Sequence, residues 1–411
     1  MNSTVAGLAA TVAVSLFTLS WVLLNESFWA REQMHDTPLY EGYGDAIATG
    51  KVPYRDFPLE YPPAALPAFA VPSLIVGADA PTLDYHRTFE WTMLVCGVVT
   101  VMLMAGLLVG IGVPPARLVL ALAFAALAPL ALGSVVLSRF DLWPAVLTVM
   151  VLVALLGAAD RLAAGLLAVA VAAKLYPVVL VPLVAAWIWR RRGRHDALVA
   201  AAVFGAVLAA VVLPFLLVAP EGFGESFWRQ LRRPLQIESL GAATLVALHH
   251  LAGVDVEVQT SAGSQNIAGA RAAAVGAVHT ALQLAVLAWL WLRFARGPAE
   301  PERLIRYAAA AVLAFVALGR VLSPQFLIWL IPLVPLVGGR RGLVASALLG
   351  AALVLTQLWF PFRYWDYAGS LDANVTAFVV ARGLVLVAAL AVLAWPETTG
   401  RAPSDASRRL L

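Results

Sequence analysis

Long apolar runs separated by short polar connections dominate this chain. Residues 4–24 form the first run and carry no charge; further runs lie near 87–112, 117–137, 141–158, 197–218, 268–292, 342–359 and 375–395. A helix rises 1.5 Å per residue, so a hydrocarbon core about 30 Å thick takes about 20 apolar residues to cross. Each run therefore predicts a membrane helix. No basic residue precedes the first run and no small-residue cleavage pattern follows it, which predicts an uncleaved anchor. Two longer stretches are interrupted, 162–189 at Lys174-Leu175-Tyr176-Pro177 and 304–337 at Arg320-Val321-Leu322-Ser323-Pro324, where Pro324 is expected to start a fresh helix. Broken backbone at membrane depth is tolerated only where it lines protein or a wet cavity. The expectation is an all-α polytopic bundle of about twelve helical segments, some short or broken, around one such cavity, with residues 1–411 as a single domain.

Composition narrows the classes further. Of 411 residues 62% are hydrophobic and 13% charged, against about 25% charged in soluble domains. An ordinary cytosolic enzyme, a disordered chain and a disulfide scaffold are excluded, the last because Cys96 is the one cysteine. Fifteen of the 28 basic residues fall at Arg117, Arg161, the Arg190–Arg194 run, the 293–306 connection, Arg340-Arg341 and the tail 396–411. The positive-inside rule makes these cytoplasmic, with both termini. Most acidic residues lie in the opposite set, segments 26–86, 220–267 and 360–374, which are then external. One helix over 162–189 would put Arg161 and Arg190–Arg194 on opposite faces, so two short helices that dip in and return are expected there.

Candidate chemistry concentrates in the first external loop. Seven acids and three bases between 26 and 63 give it a net charge of −4. Carboxylates gathered over a membrane cavity suit general-base work on a sugar hydroxyl; a solvated acidic loop is the other reading. Lys174 is one of only two lysines and sits in an apolar stretch. A charge at the bilayer centre costs about 2.5–3.5 kcal/mol on insertion scales, so Lys174 is either functional or shallow enough to snorkel. Arg320 occupies the matching break, and a guanidinium pairs bidentately with phosphate. Arg139 and Asp141 flank Phe140 at the start of a span, where they reach a substrate or pair with each other. Arg382, inside the last span, should face the cavity or another helix. Arg229, Arg232 and Arg233 with Phe227 and Trp228 form an amphipathic stretch, suited to lipid headgroups, to an acceptor phosphate or simply to a surface helix. His249-His250 point about 100° apart on a helix and find no third ligand, so no metal site is expected. No dinucleotide-binding glycine motif or P-loop occurs.

Several short motifs resemble a known family in combination. Asp36-x-x-x-Tyr40, Gly50-x-x-Pro53-Tyr54 and Glu60-Tyr61-Pro62-Pro63 resemble the first periplasmic loop of family 87 glycosyltransferases, the actinobacterial membrane mannosyltransferases of the GT-C superfamily. Lys174-x-Tyr176-Pro177 and Ser323-Pro324-Gln325-Phe326-x-x-Trp329-x-x-Pro332 resemble two later segments of that family. The resemblance implies transfer of a sugar, mannose first among candidates, from a polyprenyl-phosphate donor to a lipid-linked glycan or glycolipid, outside the cell membrane and with inversion. By motif, Asp36 is the expected general base. Lys174 and Arg320 are then candidates for the donor phosphate, and Asp45, Tyr54, Glu60, Tyr61, Arg139 and Asp141 for the sugar or acceptor. No cofactor or divalent metal is implied; the expected partners are the donor, the acceptor and membrane lipids, with no nucleic acid. Two alternatives stay open. One is an arabinofuranosyltransferase of the same fold. The other is a transporter or flippase of lipid-linked or anionic substrates, since transporters also place charges at helix breaks.

Overall fold

The computed structural model describes residues 3–26, 28–31 and 33–395; the tail expected at 396–411 lies outside the described residues. The long helix α1 (Ser3–Glu26) leads to two short helices of the first large loop, α2 (Thr37–Ala48) and α3 (Leu66–Val76). The pair α4 (Thr82–Gly110) and α5 (Pro115–Leu132) follows, then α6 (Leu142–Leu156). A broken pair, α7 (Asp160–Ala173) and α8 (Val181–Arg192), precedes α9 (Arg194–Val218). The second large loop holds α10 (Pro220–Leu231), α11 (Leu240–Ala252) and the short strands β1 (Leu235–Gln236), β2 (Val258–Ser261) and β3 (Ser264–Ile267). The chain continues through α12 (Gly269–Arg296), α13 (Pro301–Leu318), α14 (Gly339–Gln357), α15 (Tyr364–Ala368) and α16 (Ala373–Ala394).

Seven of these helices, α1, α4, α5, α9, α12, α14 and α16, are long and apolar enough to cross a membrane. The protein is a predominantly α-helical, multi-pass membrane protein. Its helices sort by which residues water or lipid would meet. In α9, Leu198, Leu213, Leu216 and Leu217 are exposed, and an apolar helix that leaves such residues uncovered belongs against lipid. In α13 every residue from Arg303 to Ala314 is buried, and a helix covered on all sides is the bundle centre. Its small residues Ala308–Ala311, Ala314 and Ala317 let α12 and α16 approach closely.

Contacts between distant connections define two ends of the bundle. At the basic end Arg117 pairs with Glu302 and donates to the Leu336 carbonyl. Arg192 pairs with Asp160, Arg190 and Arg191 donate to the carbonyls of Ala295 and Ala299, and Arg341 donates to that of Trp395. At the acidic end Ser138 reaches the Met34 carbonyl, Gln230 that of Glu60, Tyr367 that of Ile237, and Phe28 stacks on Phe362. The Arg192–Asp160 pair brings the outer ends of α7 and α8 together. With 14 residues α7 is about 21 Å long, so this pair enters the bundle and returns, as the charge pattern predicts.

Three features differ from the sequence expectation. The described residues contain sixteen α-helices rather than about twelve segments, because the two large loops and the 360–374 connection fold helices of their own. Strands β1, β3 and β2 pair antiparallel in that order, an addition that hydropathy does not signal. Pro324 does not open an α-helix: 324–329 and 334–336 are 3₁₀ turns. Pro324, Pro332 and Pro335 each remove an N–H that a continuous helix would use.

Candidate functional site

Two aspartates start helices at the acidic end, and neither caps its helix. Asp36 and Asp141 hold the N-cap positions of α2 and α6 without a side-chain capping bond. Asp372, by contrast, caps α16 by accepting from the Val375 amide at 2.9 Å. A cap bond is worth about 0.5–2 kcal/mol, so both carboxylates are drawn elsewhere by stronger partners. Asp36 forms an ion pair with Arg139, and the Tyr40 hydroxyl lies 3.4 Å from its second oxygen. One Asp141 oxygen accepts from Lys174 Nζ and from Trp329 Nε1, each at 2.6 Å. The Asp36 side chain is 34% exposed and that of Asp141 is 1% exposed. An incoming hydroxyl therefore has access to the first and not to the second.

The two broken stretches meet here. Tyr176 stacks on Trp329 with ring centroids 4.0 Å apart and planes 6° from parallel. Phe326 stacks on the same indole at 4.3 Å. Lys174 Nζ lies 4.5 Å from the Phe140 ring centre and 5.3 Å from that of Trp329. The backbone breaks at Lys174–Pro177 and Ser323–Pro324 thus turn one lysine and one indole onto a single carboxylate oxygen. The Tyr176 hydroxyl is fixed against Thr148 at 2.8 Å, which holds the stack in place.

Behind this pair lies a second group of buried charges. Glu238 is 3% exposed and Arg382 fully buried; Arg382 donates to the Glu238 carbonyl. Arg139, Arg233 and Arg382 all lie within electrostatic reach of the Glu238 carboxylate. None of them forms an ion pair with it among the described residues. Burial pushes the Glu238 carboxyl up to about 7. Arg139 and Arg233 also act electrostatically on Lys174. The connected charges are Lys174, Arg139, Arg233 and Arg382 against Asp36, Asp141, Glu238 and, through Arg233, Glu60.

The remaining residues singled out by sequence fall in different places. Asp45 accepts from Ser73 at 2.7 Å and ties α2 to α3. Tyr54 is buried, donates to the Tyr61 carbonyl at 2.6 Å and packs on Phe223. Glu60 is exposed near the Gly263 turn between β2 and β3. Tyr61 packs edge-on against Phe140 at 4.9 Å and beside Tyr40, so it walls the Asp36 site. Arg320 donates to the Leu231 carbonyl and, with Arg232 and Arg233, lines a cavity of about 340 Å³. The structure thus gathers Asp36, Tyr61, Arg139, Asp141 and Lys174 together. Arg320 joins them only through Arg233, which borders both places. Arg382 faces the bundle interior, as expected of a charge in an apolar span.

Sequence reasoning overlooked Gln236 and Glu238 and placed Arg233 in a stretch suited to lipid headgroups, to an acceptor phosphate or to a surface helix. No local pattern marks them: β1 ends at Gln236, Ile237 and Glu238 lie in the turn closed by the Ser239 amide on the Gln236 carbonyl at 2.9 Å, and all four residues from Leu235 to Glu238 are buried. Among the described residues no group of His, Cys, Asp or Glu is arranged to hold a metal ion. Comparison with known proteins adds no relative, since no family model and no curated protein matches the chain.

Proposed function

We propose that the protein is a membrane glycosyltransferase of the family 87 type, which moves a sugar from a polyprenyl-phosphate donor to a lipid or glycan acceptor at the acidic end of the bundle. The observation that carries this reading is that Arg139 and Arg233 both act electrostatically on the buried Lys174 beside the partly exposed Asp36. A sugar phosphodiester carries a negative charge, which such a group of cations attracts. As the bond from sugar C1 to the phosphate oxygen breaks, negative charge grows on the leaving phosphate, and fixed cations favour that change over the ground state. The transition state resembles an oxocarbenium ion.

In this reading Asp36 takes the proton from the acceptor hydroxyl as that oxygen bonds to C1 from the face opposite the phosphate. Its partial exposure admits the acceptor, and Arg139 and Tyr40 fix its orientation. Lys174, held by Asp141 and Trp329, faces the leaving phosphate with Arg139 and Arg233. Arg320 lines the adjoining cavity, where the donor approaches. Mannose is the sugar the motif resemblance implies, and the acidic end is then the external face, with the basic connections in the cytoplasm.

The test compares wild type with Asp36→Asn in reconstituted vesicles, following label from synthetic polyprenyl-phosphate mannose into membrane lipids. Label transfer by wild type alone supports donor and base together. Equal transfer by both proteins removes Asp36 as base. Transfer from an arabinose donor instead corrects the sugar, and labelled donor crossing the bilayer without transfer replaces the enzyme with a carrier.

A further inference from the structure

A cavity of about 340 Å³ adjoins the Asp36 site through Arg233. Three arginines line it, Arg232 and Arg233 after α10 and Arg320 at the break after α13, and no carboxylate does. Each arginine uses only part of its donor capacity within the chain. Arg320 donates to the Leu231 carbonyl, Arg233 to the Ser264 hydroxyl at 3.1 Å, and the Arg232 guanidinium rests 4.0 Å over the Trp228 ring. A guanidinium carries five N–H donors. Among the described residues none of the three forms an ion pair; Glu238 and Glu60 act on Arg233 from outside the cavity.

The start of α12 adds positive potential to the same space. Its N-cap residue Ala268 and first residue Gly269 border the cavity. Ala268 supplies no side-chain capping bond, and the first turn of this 28-residue helix holds no acid. A helix N-terminus presents unpaired N–H groups and a partial positive charge, which favour an anion. The cavity also borders an apolar path. Ala273, which lines it, and Ala277, Thr280 and Leu284 recur at i, i+4, i+7 and i+11, so they share one line of α12 running into the span. Ala273, Ala277 and Leu284 are exposed. A free anion leaves that line uncovered, whereas a lipid chain attached to a phosphate covers it. We propose that this cavity binds the phosphate of an anionic lipid, whose chain lies along the exposed line of α12. The site is distinct from the reaction centre at Asp36 and Lys174. Only its use as a station for the sugar donor rests on the transferase reading.

The test measures lipid binding without turnover. Full-length protein in a nonionic, phosphate-free detergent is titrated with dioctanoyl phosphatidylglycerol, with farnesyl phosphate and with inorganic phosphate, and native mass spectrometry counts the bound molecules. Wild type should retain one lipid. R232Q and R320Q should each weaken that binding at least about tenfold, the loss of one hydrogen bond between charged partners. A273L fills the cavity without changing charge and should weaken binding as much. R229Q removes an arginine that pairs with Glu225 and does not line the cavity, and should bind as wild type does. Thermal unfolding of each variant checks folding. R232Q and A273L, at exposed positions, carry the test where R320Q fails to fold.

The site is refuted if wild type retains neither lipid, or if A273L binds as wild type does, since the ligand then sits elsewhere. It is also refuted if R229Q weakens binding as much as R232Q, since the attraction then belongs to the whole basic stretch. Inorganic phosphate binding as tightly as both lipids removes the lipid from the proposal. Tighter binding of farnesyl phosphate supports the site as the donor's, and tighter binding of phosphatidylglycerol supports it as one for bulk phospholipid. The two readings separate cleanly. Lipid retained by a protein that transfers no sugar from any donor keeps the site and removes the enzyme. Transfer by a protein whose lipid binding ignores R232Q and A273L keeps the enzyme and removes the site.

Discussion

Asp141→Asn isolates the contact on which the two helix breaks converge. The substitution keeps the shape and one carbonyl oxygen but removes the charge that faces Lys174 Nζ at 2.6 Å. Lys174 is 15% and Asp141 1% exposed, so water replaces little of what is lost. Two charge-assisted bonds converge on one Asp141 oxygen, from Lys174 and Trp329. Weakening each from the charged to the neutral range, about 1.5–3 to about 1 kcal/mol, removes about 1–4 kcal/mol. Leaving the ammonium without its counter-charge raises the expected cost to about 3–5 kcal/mol. The rings of Phe140 and Trp329 still face the ammonium and keep the loss from growing further. Equilibrium unfolding in mixed micelles, as a function of dodecyl sulfate fraction, measures this directly. The double variant D141N/K174M should recover at least about 2 kcal/mol of the loss, since no unpaired charge remains. A loss below about 1 kcal/mol for D141N, or strict additivity in the double variant, would refute the claim that this pair is a desolvated, coupled unit.

Three other outcomes follow from single contacts. Burial raises the Glu238 carboxyl from 4.5 to about 7, so the folded protein binds this proton more tightly than the unfolded chain. Stability then falls as pH rises from about 4.5 through 7, by about 3 kcal/mol in total; E238Q should lose none of that increment, and unfolding curves at pH 5 and 8 check the sign. Gly222→Ala would drive a methyl into the Tyr54 carbonyl oxygen, so α10 must shift from the first loop at a cost of about 1–3 kcal/mol in thermal unfolding. Trp329→Phe removes the indole donor to Asp141 while leaving an aromatic ring against Tyr176 and Phe326; a loss of about 1–3 kcal/mol is expected, and stability equal to wild type would assign the indole to packing alone.

The parts of the fold legible in the sequence are those that a single physical rule dictates. Apolar run length marks the long helices, and the Arg161 and Arg190–Arg194 clusters require the α7–α8 pair to return to one end, which the Arg192–Asp160 contact shows. Helices in the loops escaped because their apolar faces are short and answer to local partners: α2 is anchored by Asp45 on Ser73, and α10 by contact with Tyr54. Site residues were legible where charge stood out against apolar surroundings, as at Lys174 and Arg382. Glu238 escaped because its loop is rich in acids and its burial depends on α15 and α16 packing over it, a long-range event with no local signature. By adjacency the sequence lets Arg139 and Asp141 reach a substrate or pair with each other; in the fold the pairs cross, Arg139 to Asp36 and Lys174 to Asp141.

That crossing has a physical consequence for the site. Had Arg139 paired with its neighbour Asp141, Asp36 would be an acid in an open loop and Lys174 a lone ammonium among rings. Crossed pairing instead ties α2 to the loop before α6, and the α7–α8 break to the start of α6, so each charge is placed by two elements rather than one. A carboxylate positioned by a rigid buried guanidinium loses little further freedom when a substrate arrives, and restricting that freedom in advance is the main source of catalytic positioning. Asp36 and Asp141 each neutralise one partner, and Glu238 stands between Arg233 and Arg382 without an ion pair to either. Of these three carboxylates only Asp36 is both paired and partly exposed, so it is the one an incoming group can reach without breaking the buried pair of Lys174 and Asp141.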